Sequence, residues 1–181
     1  MNIIKNCLLV ILIAIVSMGF KPGKNSGPMA NLKLEDSTLF DFWIGDWEAS
    51  WNENGSVKLL GENHLSKEFG SWVITERFKV NEGVSKGFEG GSWTVYDKQK
   101  QKWFQTWVDS QGAYMAFEGK LDGDKRIFER STINKKGQAI IQRMVFKNIT
   151  SESFTWDWES SSDNGKTWTL SWQTLYKRVK K

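Results

Sequence analysis

The chain has 181 residues, enough for one domain with a substantial core. It holds one cysteine and one histidine, which excludes a disulfide framework, paired-cysteine zinc sites and multi-histidine metal centres. Its 25 basic and 21 acidic residues leave a formal charge of +4, too small an excess to point to a nucleic-acid partner.

The first segment, MNIIKNCLLVILIAIVSMGF, carries Lys5 and then a weakly polar-to-apolar run from Cys7 to Phe20. A bilayer crossing needs roughly 20 apolar residues, so this run is short for a span and fits the hydrophobic region of a secretory signal. Residues 1–19 are expected to form that signal, cut after Gly19 with Ser17 three positions back. This predicts an extracytoplasmic (periplasmic or secreted) protein without a stable membrane span after cleavage; an uncleaved anchor is the alternative. Cys7 reads as an apolar signal residue, since Ile4-Lys5-Asn6 does not form a lipobox. Loss of residues 1–19 removes only Lys5 from the charge count, leaving about +3. KPGKNSGPMAN, residues 21–31, contains both prolines of the chain and reads as part of a flexible tether over 20–38. The folded domain is expected over 39–181.

From Leu32 onward there is no proline, which suits a sheet. Turn signals recur at short intervals, among them Asn54-Gly55, Gln111-Gly112, Asp122-Gly123 and Asn164-Gly165. Between them run segments rich in Trp, Phe, Val, Ile and Thr. Ten strands are predicted, at 43–52, 57–66, 72–80, 88–96, 102–109, 113–121, 125–132, 138–147, 153–161 and 167–178. Evenly spaced strands joined by hairpins make an antiparallel barrel or sandwich.

The first strand is decided by parity. In FDFWIGDWEASW, Trp43, Gly45, Trp47, Ala49 and Trp51 alternate with Asp46, Glu48 and Ser50, a period of two that places three indoles on one face. Trp72, Ile74, Glu76, Phe78 and Val80 form another such row. So do Trp103, Gln105, Trp107 and Asp109; Phe154, Trp156, Trp158 and Ser160; and Trp168, Leu170, Trp172, Thr174, Tyr176 and Arg178. For 88–96 and 113–121 the alternation leaves both facings open.

Gly45-Asp46-Trp47 on the first strand and Arg178 on the last resemble the calycin superfamily of lipocalin-like barrels, in which an arginine of the final strand covers a Gly-x-Trp of the first. An Arg guanidinium over an indole gains roughly 0.5–2 kcal/mol, and here it would join first strand to last. FDFWIGDWE (40–48), WTVYDKQKQKWFQTWVDSQG (93–112), IIQRMVFKNI (140–149) and TWDWESSSDNGKTW (155–168) together resemble a bacterial family of secreted calycin-like proteins without an assigned activity. The resemblance implies an all-β, single antiparallel up-and-down β-barrel of about ten strands enclosing a cup, with Trp47 and Arg178 as its closing pair. It implies no reaction.

Eleven tryptophans exceed what ordinary packing needs. Those on inward rows, interleaved with polar groups, have the make-up of a pocket wall: Trp72, Trp103, Trp107 and Trp158 as planes, with Glu76, Gln105 and Asp109 orienting a ligand. The competing view is a solid interior in which the indoles simply fill space. Glu76 sits mid-strand between Ile74 and Phe78; a buried carboxylate must neutralise or find a cation, for which Arg130 and Arg143 are the candidates. It reads as a paired structural group, a ligand-orienting group or a general acid/base. Asp109, just before Ser110-Gln111-Gly112, reads as a turn cap or a rim contact. His64, in Glu62-Asn63-His64-Leu65, reads as a surface residue of a strand, although some calycin-like barrels hold haem through one histidine. SSSDNGKTW (160–168) has one aspartate and reads as a polar hairpin rather than a calcium loop.

The expected function is binding of a small hydrophobic or aromatic molecule by an exported barrel, with no cofactor, metal or nucleic-acid partner. One alternative is an enzyme of the same fold using Glu76 as acid/base, ranked lower because no nucleophile is paired with a base. The other is a structural or interaction module of the cell envelope with a filled interior.

Overall fold

The computed structural model describes residues 37–180. The expected signal over 1–19, Cys7 and nearly all of the expected tether over 20–38 lie outside the described residues.

One turn of 3-10 helix, Asp41–Trp43, leads into ten strands: β1 Gly45–Glu53, β2 Ser56–Glu68, β3 Val73–Val80, β4 Glu89–Asp97, β5 Lys102–Asp109, β6 Tyr114–Asp122, β7 Lys125–Ile133, β8 Ala139–Lys147, β9 Ser153–Ser161 and β10 Thr169–Arg178. Each strand pairs antiparallel with its sequence neighbours and β1 pairs with β10, so the sheet closes as an up-and-down barrel. Closure leaves the sheet no free edge along that seam. The turns follow their residues: Asn54 (φ 56°) and Gly55 (φ 85°) supply the two left-handed positions that a tight hairpin demands. Asn164 (φ 60°) and Gly165 (φ 81°) sit in the polar loop before β10, where Asp163 accepts both the N–H and the hydroxyl of Thr167.

The seam between β1 and β10 is held by Arg178. Its guanidinium lies 4.0 Å from the Trp47 ring centroid and donates to Ile44 O (2.7 Å), Phe42 O (3.0 Å) and Ser151 O (2.6 Å). Gly45 leaves the room: a Cβ there would stand 2.3 Å from Arg178 Nη1.

Two features depart from the parity expected of the sequence. Trp43 does not belong to β1; the alternation starts at Gly45, and Phe40–Trp43 folds across the end of the barrel that we term lower. In β10 the pairing steps from Leu170–Glu159 to Trp172–Trp158, leaving Ser171 as an extra residue. Such a bulge reverses the facing of everything before it. Leu170 is therefore half exposed, and Trp168 stands on the outside with Arg143 3.6 Å from its ring centroid, while Trp172, Thr174 and Tyr176 keep the inward row. The strands of open facing resolve with Ser92, Thr94 and Tyr96 inward on β4, and Met115 and Phe117 inward on β6.

The lower half of the interior is solid aromatic packing. Phe40 stacks on Phe128 (4.3 Å between centroids) and meets Trp103 (5.3 Å) and Phe146 (6.1 Å) edge-on. Trp43 meets Phe146 at 4.9 Å, Trp47 meets Phe154 at 4.8 Å, and Phe154 stacks on Tyr176 at 4.6 Å. Each such pair contributes roughly 0.5–1.5 kcal/mol beyond its buried area.

Candidate functional site

Above this packing the inward rows no longer meet. They leave a cavity of about 310 Å³ whose floor is Trp43 and whose walls are Trp107, Trp156, Trp158 and Trp172. Phe88, Asp109 and Met115 stand toward the upper end, where the loops after β1, β3 and β5 lie; Phe78, Phe117 and Met144 complete the apolar lining. Trp156 and Trp158 stack at 6.3 Å, and Trp172 meets Trp156 edge-on at 5.3 Å, so the indoles brace one another around the space.

Two polar side chains on the wall sit deep, Glu76 and Tyr176. Glu76 is 5% exposed. Asn63 Nδ2 donates to its Oε1 (2.8 Å) and Ser92 Oγ to its Oε2 (2.6 Å); Gln105 Nε2 donates to Ser92 Oγ in turn (3.1 Å). Burial pushes the Glu76 carboxyl up to about 7, the bonds from Ser92 and Asn63 opposing the rise without cancelling it. Tyr176, beside Asn63 and Glu76, has its phenol pushed up by burial and by the Glu76 charge, so it stays protonated at neutral pH. At the upper end Asp109 Oδ2 accepts from Trp107 Nε1 (3.1 Å), and Oδ1 accepts the N–H groups of Gln111 (2.9 Å) and Ala113 (3.1 Å). Desolvation alone would raise the Asp109 carboxyl; the three donors together outweigh it and hold the group below its ordinary value.

Of the side chains singled out in the sequence, the fold brings Glu76, Trp107, Asp109 and Trp158 to one cavity. Gln105 stands one layer behind, reaching Glu76 through Ser92. Trp103 is buried lower, against Phe40 and Tyr96, and belongs to the solid packing rather than to the wall. Trp72 is a correction: it precedes β3, is 40% exposed, and carries the Lys98 ammonium 3.3 Å from its ring centroid. The alternation that places Ile74 and Glu76 inside does not extend into the preceding turn. The cation expected for Glu76 is a second correction. Arg143 is on the outer wall with Glu159 (2.6 Å), and Arg130 directs two N–H groups to Gln142 Oε1 (3.0 and 2.6 Å). Neutral donors take the cation's place.

Sequence reasoning passed over Asn63 and Ser92. Asn63 shares parity with Leu65, which was its available signal; Ser92 lay on a strand of open facing. His64, next to Asn63, points to the exterior and meets Asp46 at 2.5 Å. Among the described residues no group of three His, Cys, Asp or Glu is placed to hold a metal ion, and no helix is long and apolar enough to cross a membrane.

No protein-family model matches this chain, and no curated protein matches it.

Proposed function

We propose that this protein is a binding barrel that takes a small, partly apolar molecule into the upper half of its interior. The observation that carries this is the cavity itself: about 310 Å³, walled by indoles and bearing two carboxylates, inside a barrel whose other half is packed solid. Ligand pockets begin at about 300 Å³ and combine apolar walls with a few orienting polar groups. Trp43, Trp107, Trp156, Trp158 and Trp172 supply the planes; Glu76, held by Asn63 and Ser92, and Asp109 supply the orientation. A filled envelope module has no use for this space.

The same proposal places the chain with the calycin-like barrels and reads residues 1–19 as a signal for export. Supporting the first are the up-and-down closure and Arg178 over Trp47; supporting the second is the apolar run from Cys7 to Phe20. The position of Glu76 favours one further reading, catalysis. A carboxyl near 7 in a desolvated site is poised for general acid/base work at neutral pH. In that case Glu76→Gln abolishes turnover of a substrate that it still binds.

Intrinsic tryptophan emission tests the binding function, because five indoles face the space. Titrating the full chain with lipids, small aromatics and sugars is expected to give a saturable emission change for at least one class. Emission unchanged across all of them overturns the proposal.

A further inference from the structure

The charges around the cavity are of one sign. Glu76 lies deep in it and Asp109 stands toward the upper end, while among the described residues no lysine, arginine or histidine lines it. The partners of Glu76 are an amide and a hydroxyl, so a carboxylate there has its hydrogen bonds but no counter-charge. A buried ionised carboxylate without a cation is costly. Arg130 is the cation on the neighbouring inward row of β7. It is spent on Gln142 and stands 5.5 Å from the Phe117 ring centroid, behind the wall rather than in it. The cavity that holds the two carboxylates is lined by indoles and by Tyr176, rings whose π-electrons attract positive charge when water is excluded. Aromatic walls and carboxylates without a counter-charge in a small cavity are complementary to one kind of head group.

Resting on the binding function proposed above, we infer that the ligand is a small organic cation, a protonated amine or quaternary ammonium on an apolar body, with Glu76 as its counter-charge. The body lies against Phe78, Phe117 and Met144, and Asp109 draws the positive head in from solvent. Size sets a limit as well: a cavity of about 310 Å³ admits one ring or a short chain besides the head group.

Among the described residues, the titratable groups that line the cavity with Glu76 are Tyr176 on β10 and Asp109 on β5, with Arg130 on β7 behind its wall and Tyr96 on β4 in the packing below. Tyr176 stays protonated, Asp109 stays ionised and Arg130 stays charged near neutrality. Of the groups that line the cavity, Glu76 is the one that changes charge near neutrality, so affinity for a permanently charged ligand should rise with pH as its carboxyl ionises.

The experiment compares probes of one shape and different charge against the full chain by calorimetry and tryptophan emission. Benzyltrimethylammonium and benzylamine are the cations, neopentylbenzene and benzyl alcohol the neutral counterparts, and phenylacetate the anion. Binding of a cation at least about tenfold tighter than its neutral counterpart supports the inference. So does an affinity for benzyltrimethylammonium that rises about tenfold between about pH 6 and pH 8, following the ionisation of Glu76. Glu76→Gln should erase the pH dependence and bring each cation toward the affinity of its neutral counterpart. If that variant does not fold, the pH series on the unaltered protein decides alone. Equal or tighter binding of the neutral or anionic probes overturns the cation and leaves the binding function standing. Absence of binding by every probe, at every pH, overturns the inference, and with the broader emission titration also negative it overturns the binding function too.

Discussion

The two halves of the barrel interior are built from the same residue types to opposite ends. In the lower half Phe40, Trp103, Phe128 and Phe146 interlock at centroid distances of 4.3–6.4 Å, and Phe40 is fully buried. In the upper half Trp107, Trp156, Trp158 and Trp172 stand against the wall and leave space between them. The difference is the entering chain. Phe40–Trp43 crosses the lower end and packs Phe40, Phe42 and Trp43 against the core, whereas among the described residues no segment does the same at the upper end. Aromatic richness alone therefore does not decide between a core and a pocket; what matters is whether something fills the centre.

The largest effect should come from removing the plug. Phe40→Ala is expected to cost about 3–5 kcal/mol of unfolding free energy in a denaturant titration, the range for deleting a buried Phe from tight packing. A loss under 1 kcal/mol would falsify the view that the lower half is the solid part.

Next in size is the pH dependence set by the upper half. Burial lifts Glu76 from 4.5 to about 7, so the folded state holds its proton more tightly than the unfolded chain does. Its stabilisation is complete below about pH 4.5, declines through the window from 4.5 to 7, and levels off above; the span is about 3 kcal/mol. Asp97, Asp109 and Asp163, all held below 3.8, act in the opposite direction and only in more acidic solution. Glu76→Gln should flatten the unfolding free energy between pH 5 and 8. A slope that persists in the variant assigns the pH dependence to another group, and no slope in the unaltered protein means that the Glu76 carboxyl is solvated.

Two glycines, one in each half, form a matched pair. A Cβ on Gly119 would stand 2.6 Å from Trp103 Cβ and 2.8 Å from Phe128, inside the filled half, while one on Gly90 would stand 2.2 Å from the outer edge of the Trp107 indole, beside the cavity. Gly119→Ala should cost about 2 kcal/mol by overpacking. Gly90→Ala should cost less than about 1 kcal/mol, because the ring can tilt into open space, yet it should abolish ligand binding by occupying that space. Equal costs at the two sites would erase the contrast between the halves.

Much of this architecture could be read directly from residue order. Asn-Gly and Asp-Gly steps and the period of two placed ten strands within a few residues of where they lie, since a hairpin's turn chemistry and a strand's two faces are local properties. The exceptions have local causes. Trp43 keeps the spacing of the β1 indoles but sits in a 3-10 turn, and Trp168 and Leu170 lose the inward row to one unpaired serine; a single residue reverses parity and leaves no mark in composition. Trp72 failed for a related reason, since the strand it was expected to head begins one residue later, at Val73. At the site, Glu76, Trp107, Asp109 and Trp158 were visible because a polar group on an apolar row stands out. Asn63 and Ser92 were hidden, because neutral partners of a carboxylate carry no charge pattern to find.

The order of residues by itself thus determined a sheet of ten antiparallel strands and the side of the wall on which most indoles fall, because those follow from backbone geometry repeated every two residues. Only the tertiary structure decided that one half is filled and the other open, that Glu76 is bound by Asn63 and Ser92 rather than by an arginine, and that Trp103 and Trp107 serve different ends. Those outcomes depend on distances across the barrel between residues far apart in the chain, and such distances exist only once the first strand has met the last.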